Sequence, residues 1–216
     1  ETIVRMDRSV ISSYSDLSKT YEFINNEGKM IIIGTKMITK GLDIKDLELV
    51  VIMDSDRFTD FPDYNATENA GALIMQVAGR AGRKEKGKVI IQTFKKESGF
   101  YGAVSQHNYD SIINAELEER KIFNYPPFSD LLLVIISDTD ENKAKNISDE
   151  IYREIIKMGY EGELYGPVKP MIYKLKNKYR YQIIIKTKKT YENLKNIFDK
   201  YRNNLYVYLN PPSTML

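Results

Sequence analysis

Residues 76–83 of this 216-residue chain read Gln76-Val77-Ala78-Gly79-Arg80-Ala81-Gly82-Arg83, and they close an apolar, helix-prone run. Because an α-helix has about 3.6 residues per turn, a spacing of three places Arg80 and Arg83 on one face of a helix or of its last turn. The glycines keep that face clear of side chains, so a bulky anion can approach it closely. Guanidinium groups form two-point contacts with phosphate oxygens and stay charged at any working pH. The segment therefore predicts a phosphate-binding helix end, and the alternative is an ordinary helix end with two solvated arginines.

A second segment with phosphate-binding chemistry lies upstream, at residues 34–43, Gly-Thr-Lys-Met-Ile-Thr-Lys-Gly-Leu-Asp. It follows the continuous apolar run 30–33, which predicts a strand buried on both faces of a parallel sheet. Thr35 can cap the helix that follows and leave free N–H groups at its positive end, where a phosphate of a nucleic-acid strand binds. Gly41 permits close approach of the backbone. Alone, such a junction is usually only a helix cap, but the arginine segment downstream favours the functional interpretation.

The first half of the chain alternates strand and helix patterns, and each strand runs into a polar loop. This order predicts an α/β domain, a partial RecA-like lobe, whose sites lie at the carboxyl ends of its strands. Asp54 and Asp56 follow one of these strands, and for them we favour turn and capping roles over metal binding. A helix beginning near the serines at 12, 13 and 15 is predicted to bury Tyr14 and three further apolar side chains. The predicted strands are residues 2–6, 30–33, 49–53 and 89–91.

The second half has a different pattern, and its start is marked by a break at residues 124–128, Asn-Tyr-Pro-Pro-Phe, which cannot continue a helix. Beyond it the elements run β-α-β-β-α-β, with a hairpin of two strands, 168–175 and 179–186, that turns at 176–178. This order is that of the ferredoxin-like α+β fold. The predicted organisation is a lobe at 1–105, a helical connector at 106–128 and a ferredoxin-like domain at 129–216.

The hairpin is strongly basic, because residues 169–202 contain eleven Lys and Arg side chains against two acidic ones. Strand side chains alternate between faces, so the apolar set can pack on the two helices while the other face meets solvent. That free face is predicted to contact the DNA backbone. A solubilising surface and a docking site for an acidic protein tail are the alternatives. The predicted DNA-binding side chains are Lys174, Lys176, Arg180 and Lys186.

Composition excludes several classes of site. With no cysteine and a single histidine, the chain has neither disulfides, nor thiolate zinc sites, nor a multi-histidine metal centre. The apolar runs are too short for a membrane span, and no export signal opens the chain. The chain starts at Glu1, directly on a strand pattern, and we therefore expect it to be part of a longer, cytoplasmic protein.

These motifs carry a resemblance to a known family. Residues 76–83 resemble the last conserved motif of superfamily 2 helicases, and residues 34–43 resemble motif V of the same helicases. From end to end the chain resembles the carboxy-terminal half of the PriA-type bacterial replication-restart DNA helicases. Residues 62–69 follow a motif of that family, but Asn65 and Asn69 stand where the family has arginine. Three further matches arrive in the family's order, at residues 116–120, 125–128 and 179–182.

The resemblance implies an ATP-dependent 3′-to-5′ helicase that restarts stalled replication forks and assembles the primosome. Arg80 and Arg83 would be the arginine fingers at the γ-phosphate. Gln76, Gly41 and Asp43 would belong to the ATP site.

On the nucleic-acid side, the resemblance places Thr35 and Lys36 at the tracked DNA strand. The implied partners are forked and single-stranded DNA, the tail of the single-strand-binding protein and primosome proteins, with no membrane.

The same resemblance implies that the chemistry is shared with residues upstream. ATP and Mg²⁺ would be the cofactors of the full protein, and zinc would belong to the family's upstream module, not to this chain. The sequence contains neither G-x-x-x-x-G-K-[ST] nor D-E-x-H, so the isolated chain is predicted to be inactive. Two alternatives remain: a nucleic-acid- and protein-binding module, or a lobe of another superfamily 2 translocase.

Overall fold

A computed structural model describes residues 2–35, 44, 47–81, 87–188 and 192–215. The chain divides into two compact units, Glu1–Phe61 with Ala66–Ile113, and Pro62–Asn65 with Asn114–Leu216. The short segment 62–65 therefore belongs to the second unit although it lies within the first half of the sequence. The three-part division predicted from the sequence stays a prediction.

The first unit begins with the parallel pair β1 (Thr2–Met6) and β2 (Met30–Gly34), joined through helix α1 (Tyr14–Asn26). The side chain of Ser13 accepts a hydrogen bond from the Asp16 N–H, and the Asp16 carboxylate accepts one from the Ser13 N–H, which completes a capping box. The predicted helix start is therefore confirmed, but Tyr14 is 86% exposed and does not belong to the apolar face.

The same unit continues with β3 (Leu49–Ile52), α2 (Asp56–Thr59), α3 (Ala66–Ala81), β4 (Lys88–Ile91), α4 (Gly99–Ser105) and the start of α5 (Tyr109–Ile122). Strands β3 and β4 pair in parallel. Their inner face packs on a core formed by Ile74, Val104 and Ile112. Alternating strands and helices with parallel pairing confirm the predicted α/β class.

The prediction that the strand at 30–33, now β2, is buried on both faces is wrong. Ile31 and Ile33 are 48% and 56% exposed, and β3 and β4 alternate in the same way. Among the described residues, helices and loop residues cover one face of each pair only, so alternate side chains remain exposed.

The second unit contains β5 (Asp130–Asp138), α6 (Glu141–Lys157), β6 (Glu163–Val168), β7 (Lys174–Leu175), β8 (Lys178–Thr187), α7 (Glu192–Lys200) and β9 (Leu205–Leu209). The main strands are antiparallel in the order β6-β8-β5-β9, and β7 pairs with β8. The first strand of the β-α-β-β-α-β unit thus lies between the third and the fourth. This arrangement confirms the predicted ferredoxin-like fold. The second strand of the unit is β6, whereas the sequence predicted a strand over 168–175, where β6 ends at Val168 and only the two residues of β7 are paired beyond it.

One face of this sheet packs on the two helices. The buried core comprises alternate residues of β5 and β8 and the apolar faces of α6 and α7, namely Leu132, Val134, Ile136, Ile151, Ile155, Ile183, Ile185, Leu194 and Ile197. Asp138 closes β5, where its carboxylate accepts a hydrogen bond from the Asp140 N–H at 3.0 Å and pairs with Lys143 Nζ at 2.9 Å. Mainly because of the Asp140 bond, the pKa of Asp138 falls to about 2.

The opposite face of the sheet is also covered, and this overturns the prediction that it is free. Leu131, Leu133 and Ile135 are at most 1% exposed, and Tyr64 and Tyr125 pack against them. The two tyrosine rings stack with centroids 5.2 Å apart. Burial of both faces of β5 explains why nearly every residue of this strand is buried.

Candidate functional site

Helix α3 positions the arginine segment. It buries Ala70, Gly71 and Ile74, and it exposes Gln76 and Gly79, with Arg80 half-buried in the last turn. Gln76, Gly79 and Arg80 are spaced i, i+3 and i+4, so they share one face of the helix. Arg83 lies outside the described residues.

The surface beside Arg80 is open. A Cβ atom built on Gly79 would meet nothing within 4 Å, so a bulky anion can reach the helix there. A cation in the last turn also interacts favourably with the helix dipole. This interaction alone is a structural reason for an arginine at position 80. The face therefore combines a guanidinium group with an unobstructed backbone, and this donor set fits a phosphate.

Gly87, the residue before β4, lies directly against Ala81 of α3. A Cβ atom on Gly87 would lie 1.7 Å from the carbonyl oxygen of Ala81, so only glycine allows the chain to pass this close to the helix end. The two residues that flank the undescribed segment 82–86 are thus in contact.

Thr35 lies at the carboxyl end of β2, where it is exposed, and its N–H donates to the Met6 carbonyl at 3.4 Å. This is the edge at which ligands bind in parallel α/β sheets. The other residues predicted for this motif, Lys36, Gly41 and Asp43, lie outside the described residues.

Asp56 has a structural role at the end of β3. Its carboxylate accepts hydrogen bonds from Thr93 Oγ1 at 2.6 Å, the Phe94 N–H at 2.7 Å and Tyr101 Oη at 2.8 Å. The bond from Thr93 is the main cause of a lowered pKa of Asp56. The described residues contain no cluster of three or more His, Cys, Asp or Glu side chains that could hold a metal ion.

The basic hairpin turns at Lys176 and Asn177, whose φ angles of 48° and 62° form a two-residue turn between Leu175 and Lys178. Lys174 and Lys176 are exposed, as predicted. Arg180 and Lys186, in contrast, are only 7% and 6% exposed, so the prediction that they face solvent is wrong.

The burial of Lys186 has a specific cause. Its Nζ donates to the Phe123 carbonyl at 2.8 Å, lies 3.7 Å from the centroid of the Tyr125 ring and is 3.5 Å from Glu163 Oε2. Arg180 is held similarly, since its Nη1 donates to the Ile172 carbonyl at 3.3 Å. Both cations therefore bind groups of the protein itself.

Sequence reasoning missed the role of segment 62–65. The Asp63 carboxylate accepts hydrogen bonds from the Thr214 N–H and Oγ1, each at 3.1 Å, and from Ser213 Oγ. Tyr64 Oη donates to the Pro211 carbonyl at 2.6 Å, and Asn65 Nδ2 donates to that of Pro212. We call this set of contacts the terminal clasp. Asp63, which directly follows Pro62, was the only sequence signal for it.

Two family models match the chain in the order of its two units. Residues 12–85 match the helicase conserved C-terminal domain, and residues 121–205 match the primosomal protein N C-terminal domain. The sequence corresponds to the carboxy-terminal part of the PriA family. The helicase match contains the whole of α3, and the primosomal match contains most of the ferredoxin-like unit.

Individual PriA proteins match along most of the chain. The replication restart protein PriA of Thermotoga maritima is 31% identical over 205 residues, which are 95% of this chain and 27% of the relative. The PriA of Bacillus subtilis is 32% identical over 208 residues, with 94% and 26% covered. The PriA of Rickettsia felis is 38% identical over 156 residues, with 72% and 24% covered. The chain thus spans about a quarter of the length of the curated relatives that it matches. No helix in the described ranges is long and apolar enough to cross a membrane.

Proposed function

We propose that this chain is the second helicase lobe and carboxy-terminal domain of a PriA-type, ATP-dependent 3′-to-5′ DNA helicase. The protein that contains it would act in the cytoplasm on forked and single-stranded DNA, and it would restart stalled forks and assemble the primosome. The observation that carries this proposal is the pair of family matches in one chain, with the arginine helix inside the helicase match.

The exposed face of α3 supports a role in phosphoryl transfer. Arginine fingers stabilise the charge that develops on a transferred phosphoryl group, and they act from a fixed position in a preorganised site. ATP with Mg²⁺ would supply that group, and Arg80 and Arg83 would hold positive charge beside it. Gln76, Gly41 and Asp43 would complete this half of the site, and Thr35 and Lys36 would contact the tracked strand.

Replacing the fingers tests this assignment. In the full-length protein, Arg80→Ala and Arg83→Ala should each lower DNA-stimulated ATP turnover by roughly 10³-fold or more, since fingers act mainly on the transition state. ATP affinity, measured by equilibrium nucleotide binding, should change much less. The isolated 216-residue chain should show no turnover, because it contains no phosphate-binding loop.

Arg153→Ala is the matched control, because Arg153 is an exposed arginine on α6, whose Nε donates to the Asp149 carbonyl. This variant should retain wild-type turnover. Near wild-type unwinding by Arg83→Ala, or DNA-stimulated turnover by the isolated chain, would rule out the proposed role of this lobe.

We further propose that the exposed lysines of the β7–β8 turn contact the DNA backbone. Lys174 and Lys176 remain candidates, whereas burial removes the geometric support for Arg180 and Lys186. The acidic tail of a single-strand-binding protein is the alternative ligand, and the salt dependence of DNA binding distinguishes the two.

A further inference from the structure

Four large apolar side chains of the second unit lie exposed around the end of α5 and the strand β6. Ile122 is the last residue of α5 and Phe123 follows it, Phe128 comes after the two prolines, and Tyr165 lies on β6. Their exposed fractions are 73%, 54%, 37% and 49% respectively. We call these four side chains the apolar patch.

Hydrogen bonds hold the end of α5 against β6. The side-chain N–H of Asn124 donates to Glu163 Oε1 at 2.7 Å. Lys186 Nζ, which donates to the Phe123 carbonyl at 2.8 Å, lies 5.1 Å from the centroid of the Tyr165 ring. Phe123 and Tyr165 therefore belong to one continuous surface, although they are more than forty residues apart in the sequence.

Phe128 lies beside the same surface. The Ser129 hydroxyl donates to the Asn124 carbonyl, and the Phe128 N–H donates to the Tyr125 carbonyl at 3.0 Å. These bonds close a compact turn at the end of α5. All four members of the apolar patch are thus brought together by contacts within the second unit.

The size of the apolar patch is that of a binding surface. With about 200 Å² for each large side chain, the four exposed fractions leave roughly 400 Å² accessible. Single exposed apolar residues are ordinary in soluble proteins. A contiguous patch of a few hundred Å² is often a site of interaction.

The apolar patch is also held rigid. Tyr165 Oη donates to Glu163 Oε2 at 2.6 Å, so the ring is fixed at its hydroxyl end as well as beside Lys186. The backbone of Phe123 is fixed by the bond from Lys186. Side chains that are already ordered lose little entropy on binding, and buried aromatic anchors account for much of the affinity of protein interfaces.

The exposed charges beside the apolar patch are mainly negative. Glu118 and Glu119 each precede a patch residue by four positions, which places them next to it on the helix surface. Glu161 is exposed just before β6, and Lys121 is the exposed cation of the same part of α5. Three carboxylates against one ammonium group favour a partner with positive charge.

The form of the partner follows from the edge of the sheet. Strand β6 is an edge strand, but it contains Glu163, Pro167 and a register irregularity between Tyr165 and Val168. Charge, proline and irregular pairing hinder the addition of a further strand. An amphipathic helix needs no free backbone groups on the surface that receives it, because its own backbone is satisfied internally.

We propose that the apolar patch is a docking surface for a basic amphipathic helix of another protein. The apolar face of that helix packs on the patch, and its Lys and Arg side chains pair with Glu118, Glu119 and Glu161. The agreement of apolar area, acidic border and blocked strand edge commits the proposal to this one partner chemistry. The docking does not depend on the proposed helicase activity.

A synthetic peptide probe tests the chemistry. The probe is a helix of about 18 residues with leucine at spacing i, i+3, i+4 and i+7 and lysine elsewhere. One control peptide has the same composition in scrambled order, and the other has glutamate in place of lysine. Fluorescence anisotropy measures each Kd for the 216-residue chain, and the probe should bind at least about tenfold more tightly than either control.

Substitutions in the apolar patch test the location. Ile122→Ser and Phe123→Ser should each weaken probe binding by about tenfold or more, since truncated anchors lose most of their contact. Glu118→Lys combined with Glu119→Lys should weaken it similarly, because attraction becomes repulsion. Met171→Ser is the matched control: Met171 is 60% exposed and outside the patch, so the Kd should stay unchanged. Far-UV circular dichroism checks that each variant folds.

Cysteine labelling in the full-length protein tests whether the partner is a separate protein. Ile122→Cys introduces a thiol into a stretch that has none. Maleimide labelling at this position, read by peptide mass spectrometry, should proceed within about threefold of the rate in the isolated chain. The probe should slow labelling in both proteins.

Three results would overturn the proposal. The first is equal affinity for the probe and its scrambled form, or no binding at about 1 mM probe. The second is undiminished binding by both serine variants. The third is labelling of Ile122→Cys at least about tenfold slower in the full-length protein, because another part of the same polypeptide would then cover the patch.

Discussion

Replacing Lys186 by methionine tests whether the basic side chains of β8 serve the fold or a ligand. Methionine keeps an unbranched apolar stem of similar length and removes the ammonium group. The lost interactions are the hydrogen bond to the Phe123 carbonyl at 2.8 Å, the contact with the Tyr125 ring at 3.7 Å and the ion pair with Glu163 at 3.5 Å.

The expected cost follows from these contacts. A hydrogen bond from a charged donor contributes about 1.5–3 kcal/mol, and a desolvated cation–π contact about 1–2 kcal/mol. The ion pair adds at most about 1 kcal/mol, since Glu163 is partly exposed. The variant also avoids the desolvation cost of burying an ammonium group, and this gain offsets part of the loss. We expect Lys186→Met to lower the free energy of unfolding by about 2 kcal/mol, which for a unit of this size lowers Tm by about 10 °C.

Urea unfolding followed by circular dichroism measures the change in stability. Amide hydrogen exchange in peptides of β8 assigns that change to the second unit, because the two units need not unfold together. Lys174→Met is the matched control: Lys174 is exposed and its ammonium group contacts the side chain of Tyr179, so its loss should cost less than about 0.5 kcal/mol. If both variants unfold like wild type while only Lys186→Met loses DNA affinity, the structural role assigned to Lys186 is refuted.

Three further predictions concern other parts of the second unit. Because the folded pKa of Asp138 is about 2 against an ordinary 3.8, its stabilising contribution is present above about pH 4 and is lost as pH falls towards 2; Asp138→Asn should flatten the acid limb of a stability–pH profile over that window, and an unchanged limb would contradict this. Asp63→Ala should speed hydrogen exchange at Thr214 and leave α6 unaffected, and equal protection of Thr214 in the variant and in wild type would show that the terminal clasp contributes nothing. Replacing Lys174 and Lys176 with glutamine should reduce the log–log salt slope of single-strand binding by about 1.4, since each phosphate contact contributes about 0.7; an identical slope would leave the acidic protein tail as the ligand.

Local chemistry was enough to predict the order of elements in the second unit. Two prolines at 126–127 stop α5 from continuing, and the helix periodicity of α6 and α7 identifies the faces that pack on the sheet. Once six elements in this order are known, the arrangement of four strands has few alternatives. The turn of the hairpin was located correctly, although Lys176 gives no sequence signal for the positive φ that it adopts. The strand predicted at 168–175 was wrong, because beyond Val168, where β6 ends, only Lys174–Leu175 pair with β8 there.

The errors came from contacts between residues far apart in the sequence. Alternation along β8 correctly separates Ile183 and Ile185 from Lys186, but it gives no information about what covers the second face. Tyr64 lies more than a hundred residues from β8, so no local pattern could predict that it lies over this face. The same limit applies to β2, where an apolar run predicted two covered faces and only one is covered by the described residues.

Segment 62–65 illustrates how a motif and its geometry can assign different roles. By resemblance, Asn65 occupies a position where the PriA-type family has arginine, which put a phosphate or DNA contact in doubt. In the structure the three polar side chains of this segment, Asp63, Tyr64 and Asn65, all hydrogen-bond to residues 211–214. The side-chain N–H of Asn65 donates to a backbone carbonyl, a contact that an amide can make. The hydrogen bonds of this segment to residues 211–214 all lie within the second unit, and they assign Asp63 and Tyr64 to the fold of that unit.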